Sequence, residues 1–176
     1  LQSHVKSELG ETFEKYAQRP TDATVIFSRI ASAYQCEANV HLSTGLSVVA
    51  KGNAHDVYAA FEAARERMDK QVRRYKRRLR DNHRDRRGPV EFADAPLYVL
   101  ASDEGTDEAE PDTLQPIIIA ETEAKIPSLS VGEAVMQMEL AGATFLIFRN
   151  DKHGAVNVVY RRADQNVGWI DPAGRG

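Results

Sequence analysis

The residues best placed to do chemistry in this chain are arginines. Between Arg65 and Arg87 there are twelve Lys and Arg against four Asp and Glu. At about 100° per residue on a helix, Lys70, Arg73, Arg77, Arg80 and Arg84 fall on one stripe, with Arg67, Arg74, Lys76 and Arg78 on its flanks. A guanidinium presents a planar fork of donors that matches phosphate oxygens two at a time. A row of such groups some 25 Å long, at roughly 1.5 Å per residue, suits the phosphate spacing of a polyanion better than a small molecule. A charge run on a helix is ordinarily just a solvated face. Here three basic residues stand for each acidic one, so their repulsion is largely unrelieved, and nucleic acid is the expected partner. The expected contacts are Arg67, Lys70, Arg73, Arg74, Lys76, Arg77, Arg78, Arg80 and Arg84, and such contacts position a protein without reading bases.

Other chemistries find little support. His4, His41, His55, His83 and His153 show no paired spacing, and Cys36 is the one cysteine, so no zinc pattern and no internal disulfide arise. Glu121 and Glu123 share a strand face without an acid–base environment, and no phosphate loop or nucleophile elbow is present. Tyr58 and Tyr75 lie on or beside the apolar helix face, where burial is the default over stacking on bases. The expectation is a non-enzymatic protein with no metal, cofactor or small-molecule substrate. A nuclease using His41 or the carboxylates is a rival on much thinner grounds, and a general RNA-binding module is a closer one. The lone cysteine fits a reducing cytoplasm, and no apolar run approaches the roughly 20 residues of a membrane span.

The elements that must position the stripe follow from periodicity. The basic helix, read over residues 54–87, has a second face of Val57, Phe61, Ala64, Met68, Val72, Tyr75 and Leu79, and Asn53 is its expected N-cap. An amphipathic helix over residues 1–18 carries Leu1, Val5, Leu9, Phe13 and Tyr16 at steps of four and three. Strands are expected at residues 24–30, 35–43 and 46–50, an antiparallel meander whose apolar face the two helices cover. Residues 1–87 hold 17 Lys and Arg against 11 Asp and Glu, a net of +6, whereas residues 88–176 carry a net of −9. Only the first half is therefore expected to meet nucleic acid.

Residues 88–115 shift to Pro, Gly, Asp and Glu and read as a flexible acidic linker, with an r.m.s. span on the order of 30 Å and Leu97–Leu100 as a docking segment within it. It would let the halves sit on different surfaces. Residues 116–172 read as a second, small α+β domain: a strand over 116–124, a helix opened by the capping-box pattern Ser130–Glu133 and closed at Gly142, a hairpin around 151–154, and a last strand at 167–170. In the hairpin, Phe145 and Ile147 point to one side and Leu146 and Phe148 to the other, while Val156, Val158 and Tyr160 share a side. One helix covers only one face of a sheet. Self-association is therefore expected, with Phe145, Ile147, Phe148, Val156, Val158 and Tyr160 as the candidate dimer interface.

These residues resemble a known family, the long form of the bacterial ribosome hibernation-promoting factor, related to protein Y and the ribosome-associated inhibitor. In the first half the likeness lies in Gly52, residues 56–62 (DVYAAFE), Arg67–Met68, Gln71–Val72 and residues 74–76 (RYK). In the second it lies in residues 130–138 (SVGEAVMQM), 148–150 (FRN), 157–162 (NVVYRR) and 168–172 (GWIDP). The resemblance implies a β-α-β-β-β-α first domain on the small ribosomal subunit, contacting rRNA at the decoding region where mRNA and tRNA would pass. It further implies a second domain that homodimerises and so joins two idle ribosomes. One departure is that the family's first strand, expected before Leu1, has no counterpart in these residues, which would leave a sheet edge open.

Overall fold

The computed structural model describes residues 1–16, 19–82, 90–101 and 117–173, with the backbone alone at 81–82. The first unit runs α1 (Gln2–Glu14), β1 (Pro20–Ile30), β2 (Ala33–Leu42), β3 (Ser47–Ala54) and α2 (Val57–Asn82). Its three strands form an antiparallel sheet in the order β1-β2-β3, with Phe27 opposite Cys36 and Cys36 opposite Gly52. Alternation puts Cys36, Ala38, Val40 and Leu42 of β2 and Val48 and Ala50 of β3 on one dry face. Phe61, Ala64, Met68 and Val72 of α2 cover it together with Leu9 and Phe13 of α1, so both helices lie on one face of the meander. Burial without a polar partner raises the Cys36 thiol to about 11.

The closest approach in this unit is between backbones. A Cβ on Gly52 would come 2.2 Å from the Ala60 carbonyl oxygen and 2.3 Å from the Ala64 nitrogen, so only glycine lets β3 and α2 meet at this depth. The helix N-terminus is capped by Asp56, not Asn53: its Oδ2 accepts from the Tyr58 and Ala59 backbone N–H groups at 2.9 and 3.0 Å. Asn53 is still in the ladder, opposite Gln35, because β3 runs on to Ala54. β1 pairs with β2 alone and is mostly exposed.

The second unit is β4 (Phe92–Leu100), β5 (Ile118–Leu129), α3 (Val131–Leu140), β6 (Phe145–Asn150), β7 (Val156–Arg161) and β8 (Val167–Ile170), a five-stranded mixed sheet in chain order. The β5–β6 pairing is parallel and the others antiparallel. The capping box forms as expected. The Glu133 N–H donates to Ser130 Oγ, and the Ser130 N–H donates to the Glu133 carboxylate at 2.9 Å. Gly142 follows the helix with φ +61°. α3 covers a core of Leu129, Ala134, Met138, Phe148 and Val159.

Two expectations are corrected here. A flexible linker over 88–115 does not hold for the described residues within it, since Phe92–Leu100 pairs along β5 from Phe92↔Pro127 to Leu100↔Ile118. Nor are the two units apart. Leu140 joins the first unit's core, Gly142 packs on Val49, and the Phe92 ring rests on Gly45. Residues 102–116 of that stretch lie outside the described residues.

Gly52, packed against a helix, and Gly10, within one, give opposite expectations. Gly52→Ala should destabilise by roughly 3 kcal/mol or more, because the clash is with backbone that cannot step aside. Gly10→Ala, mid-helix with nothing within 4 Å of the new methyl, should stabilise by roughly 0.5–1 kcal/mol. Denaturant unfolding of the two variants checks both signs.

Candidate nucleic-acid interface

Burial of one face of α2 decides what the other face presents. Arg67, Lys70, Arg73, Arg74, Arg77, Arg78 and Arg80 are all exposed, over about 20 Å of helix. Among the described residues, Arg73, Arg74, Arg77, Arg78 and Arg80 make no ion pair with a carboxylate. Lys70 reaches Glu66 at 3.7 Å, but both side chains are more than 60% exposed, a weak and screened contact. Arg67 donates from Nη1 to the Lys51 carbonyl oxygen at 2.6 Å, which ties its guanidinium to β3. Among the described residues the ridge is thus mostly unneutralised.

Lys76 does not belong to it. Its Nζ donates to the Tyr16 carbonyl oxygen and sits 5.9 Å from the centre of the Tyr16 ring, and burial lowers its pKa. The reason is angular: eight residues from Met68, Lys76 sits only about 80° from the centre of the buried face, on the flank that meets the end of α1. Arg65, on the same flank, is likewise spent within the fold, in a 2.7 Å pair with Glu62 and a 3.5 Å pair with Glu8. The Tyr16 hydroxyl donates to Asp69 at 2.8 Å, and burial together with that bond raises it to about 12. Arg84 lies outside the described residues. His41 is exposed on β2, its Nδ1 2.8 Å from the Ser47 hydroxyl, and among the described residues it makes no ion pair with a carboxylate, although Asp22 stands opposite it on β1. Among the described residues no group of three or more His, Cys, Asp or Glu could hold a metal ion.

The second candidate surface is the side of the β6–β8 sheet that α3 leaves bare. Phe145 opposes Tyr160, Ile147 opposes Val158, and Val158 opposes Ile170. Phe145, Ile147, Val156 and Ile170 are 41–57% exposed there. Phe148 is not part of this surface. It lies on the other side, fully buried beneath α3. Ile170, by contrast, belongs to the open side; its register with Val158 places it there, and alternation along a four-residue strand was too short a signal to find it. Gly168 admits the Tyr160 ring, which a Cβ would strike at 2.3 Å. Behind this surface Asn157, fully buried, accepts from the Asn150 amide at 3.0 Å and the Trp169 indole at 2.9 Å and donates to Asp171 at 2.9 Å, which locks β6, β7 and β8 together.

Two family models match the chain. Residues 1–80 match "Sigma 54 modulation protein / S30EA ribosomal protein", and residues 113–168 match "Sigma 54 modulation/S30EA ribosomal protein C terminus". The ribosome hibernation promotion factor of Bradyrhizobium diazoefficiens is 37% identical, over 99% of this chain and 88% of its own length. The chain belongs to the ribosome hibernation promotion factor family. Similarly named proteins of Rhizobium meliloti and Bacillus subtilis are 35% and 27% identical, over 96% and 98% of this chain and 88% and 91% of theirs. Both family halves, the S30AE unit and the C-terminal domain of the long form, are therefore present. Ribosome hibernation and translation regulation are family functions, and hibernation factors of this family are not enzymes. No helix among the described residues is long and apolar enough to cross a membrane.

If the ridge meets phosphates, single Arg→Gln changes at Arg73, Arg77 or Arg80 should each flatten the log–log salt slope of RNA binding by about 0.7–0.9. Lys76→Gln should leave that slope alone and instead lower the denaturation midpoint. Filter binding across a salt series, with parallel melts, separates the two behaviours.

Proposed function

We propose that this hibernation factor silences translation by steric occlusion. Its first unit, residues 1–87, fills the mRNA and tRNA decoding region of the small ribosomal subunit. The observation that carries this reading is the exposed ridge of α2, mostly unneutralised among the described residues. Electrostatic attraction of that ridge to rRNA phosphates brings the protein in, and the site it fills is then closed to mRNA and tRNA. The planar guanidinium fork loses less freedom per hydrogen bond formed than an ammonium does, and a helix fixes the spacing of the forks, which favours a geometric fit to folded rRNA over loose adherence to any polyanion.

The C-terminal part of the second unit, residues 116–172, homodimerises through its bare sheet face and so pairs two ribosomes. Support comes from Phe145, Ile147, Val156, Val158, Tyr160 and Ile170, an apolar cluster that α3 leaves to solvent in a single copy. Holding two ribosome-binding units in one particle raises the effective concentration of the second for a second ribosome. The chain acts in the cytoplasm, where ribosomes are, and needs no cofactor.

Changing Arg73, Arg77 and Arg80 together to Glu tests the first claim. Binding to purified small subunits should be lost while the melting temperature stays within a few degrees. Retained binding would refute it. Wild-type protein should also stay on ribosomes in excess duplex RNA; displacement by the duplex would favour a general RNA-binding module.

A further inference from the structure

We infer that β4 and β5 form an arm of the self-association surface, whose uncharged side lies across the β6–β8 face of a second copy of this chain. The inference rests on the homodimer proposed above and adds to it a segment outside both family matches, since β4 falls between residues 80 and 113.

The two sides of this hairpin are chemically different. On one side the paired residues are Ala93 with Ile126, Ala95 with Ala124, Leu97 with Thr122, and Val99 with Ala120, without a single charge. On the other side are Asp94 with Lys125, Pro96 with Glu123, and Tyr98 with Glu121, and the Lys125 ammonium lies 3.7 Å from the Asp94 carboxylate. A strand pair alternating in this way is built to put one side against something dry and the other in water. At its base the charged side also meets the first unit, where Phe92 rests on Gly45. Among the described residues nothing closes over the outer part of the uncharged side, where Leu97 is 49% and Val99 42% exposed.

Register shows where that side points. β5 joins β6 in parallel with Ser128 opposite Arg149 and Leu129 opposite Asn150. Leu129 and Asn150 are both buried on the α3 side, so Ser128, and with it Ile126, Ala124 and Thr122, faces the same way as Phe145 and Ile147. The uncharged side of the hairpin therefore continues the bare face of β6–β8. Size argues for the same occupant. A stable interface takes about 20–30 residues from each partner. The bare face of β6, β7 and β8 offers eight alternate positions, from Phe145 to Ile170, well short of that range, and the hairpin's eight more bring the total to sixteen, closer to it. In a two-fold dimer each copy's arm reaches the other's β6–β8 face, so one contact is made twice.

Sedimentation equilibrium of the full chain tests this. Leu97→Asp with Val99→Asp should raise the dimer dissociation constant at least tenfold, whereas Glu121→Gln with Glu123→Gln, on the opposite side of the same hairpin, should change it less than twofold. Ile147→Asp serves as the probe of the dimer itself. If Ile147→Asp is monomeric and the Leu97/Val99 variant dimerises like wild type, the arm is refuted and the dimer stands. A wild-type chain that is monomeric throughout would remove the dimer and the arm together. Because the aspartates could unfold β4, a second measurement uses milder changes. Chains carrying Leu97→Cys are mixed with differently tagged chains carrying Ile147→Cys and treated with a short bifunctional maleimide, Cys36 being fully buried. A mixed cross-linked product is expected, and its absence from a dimeric mixture would overturn the arm.

Discussion

The interaction on which the rest depends is the backbone contact between β3 and α2 at Gly52. With no Cβ in the way, the helix sinks onto the sheet until Phe61, Ala64, Met68 and Val72 are dry, and this fixes its rotation about its own axis. Rotation decides everything outside. Residues about 180° from Met68, namely Lys70, Arg73 and Arg77, must face solvent, while those on the flank toward α1, Arg65 and Lys76, are drawn into contacts with Glu62, Glu8 and Tyr16. A helix turned by one residue would spend the ridge inside the fold and expose the core.

The second unit obeys a related constraint. One short helix covers one side of a sheet, and α3 spends itself on Leu129, Phe148 and Val159. The buried Asn157 makes three side-chain hydrogen bonds that tie β6, β7 and β8 into one rigid platform. A rigid apolar platform loses little entropy on meeting a partner, which is the property a self-association surface needs. Contacts from Leu140, Gly142 and Phe92 then seat this unit against the edge of the first.

What could be read from the sequence was whatever a period reports. The α2 face and its basic opposite were legible because 3.6-residue spacing holds over six turns, and the capping box at Ser130 and the strand at Val167–Ile170 were legible from local residues alone. β4 was not. Its acidic, Pro-bearing surroundings look unstructured, and what makes it a strand is pairing with β5 18 to 35 residues on, which no local window contains. Asp56 displaced Asn53 as cap because the ladder carried β3 further than β-propensity alone implies. For Phe148, alternation correctly separated it from Phe145 and Ile147, but a period of two cannot say which side a helix will take. Lys76 sat on the boundary of the helical wheel, where a basic residue can turn either way; the end of α1 decided it.

The central claim is that the outward face of α2 lies on small-subunit rRNA in the decoding region. Hydroxyl-radical probing tests it most directly, with an iron chelate tethered to Arg77→Cys in one protein and to Glu123→Cys in another, each bound to intact ribosomes. The account predicts strong strand scission of decoding-region rRNA from position 77 and little there from position 123. Scission from position 77 spread evenly over the ribosome, or confined to the large subunit, would contradict it.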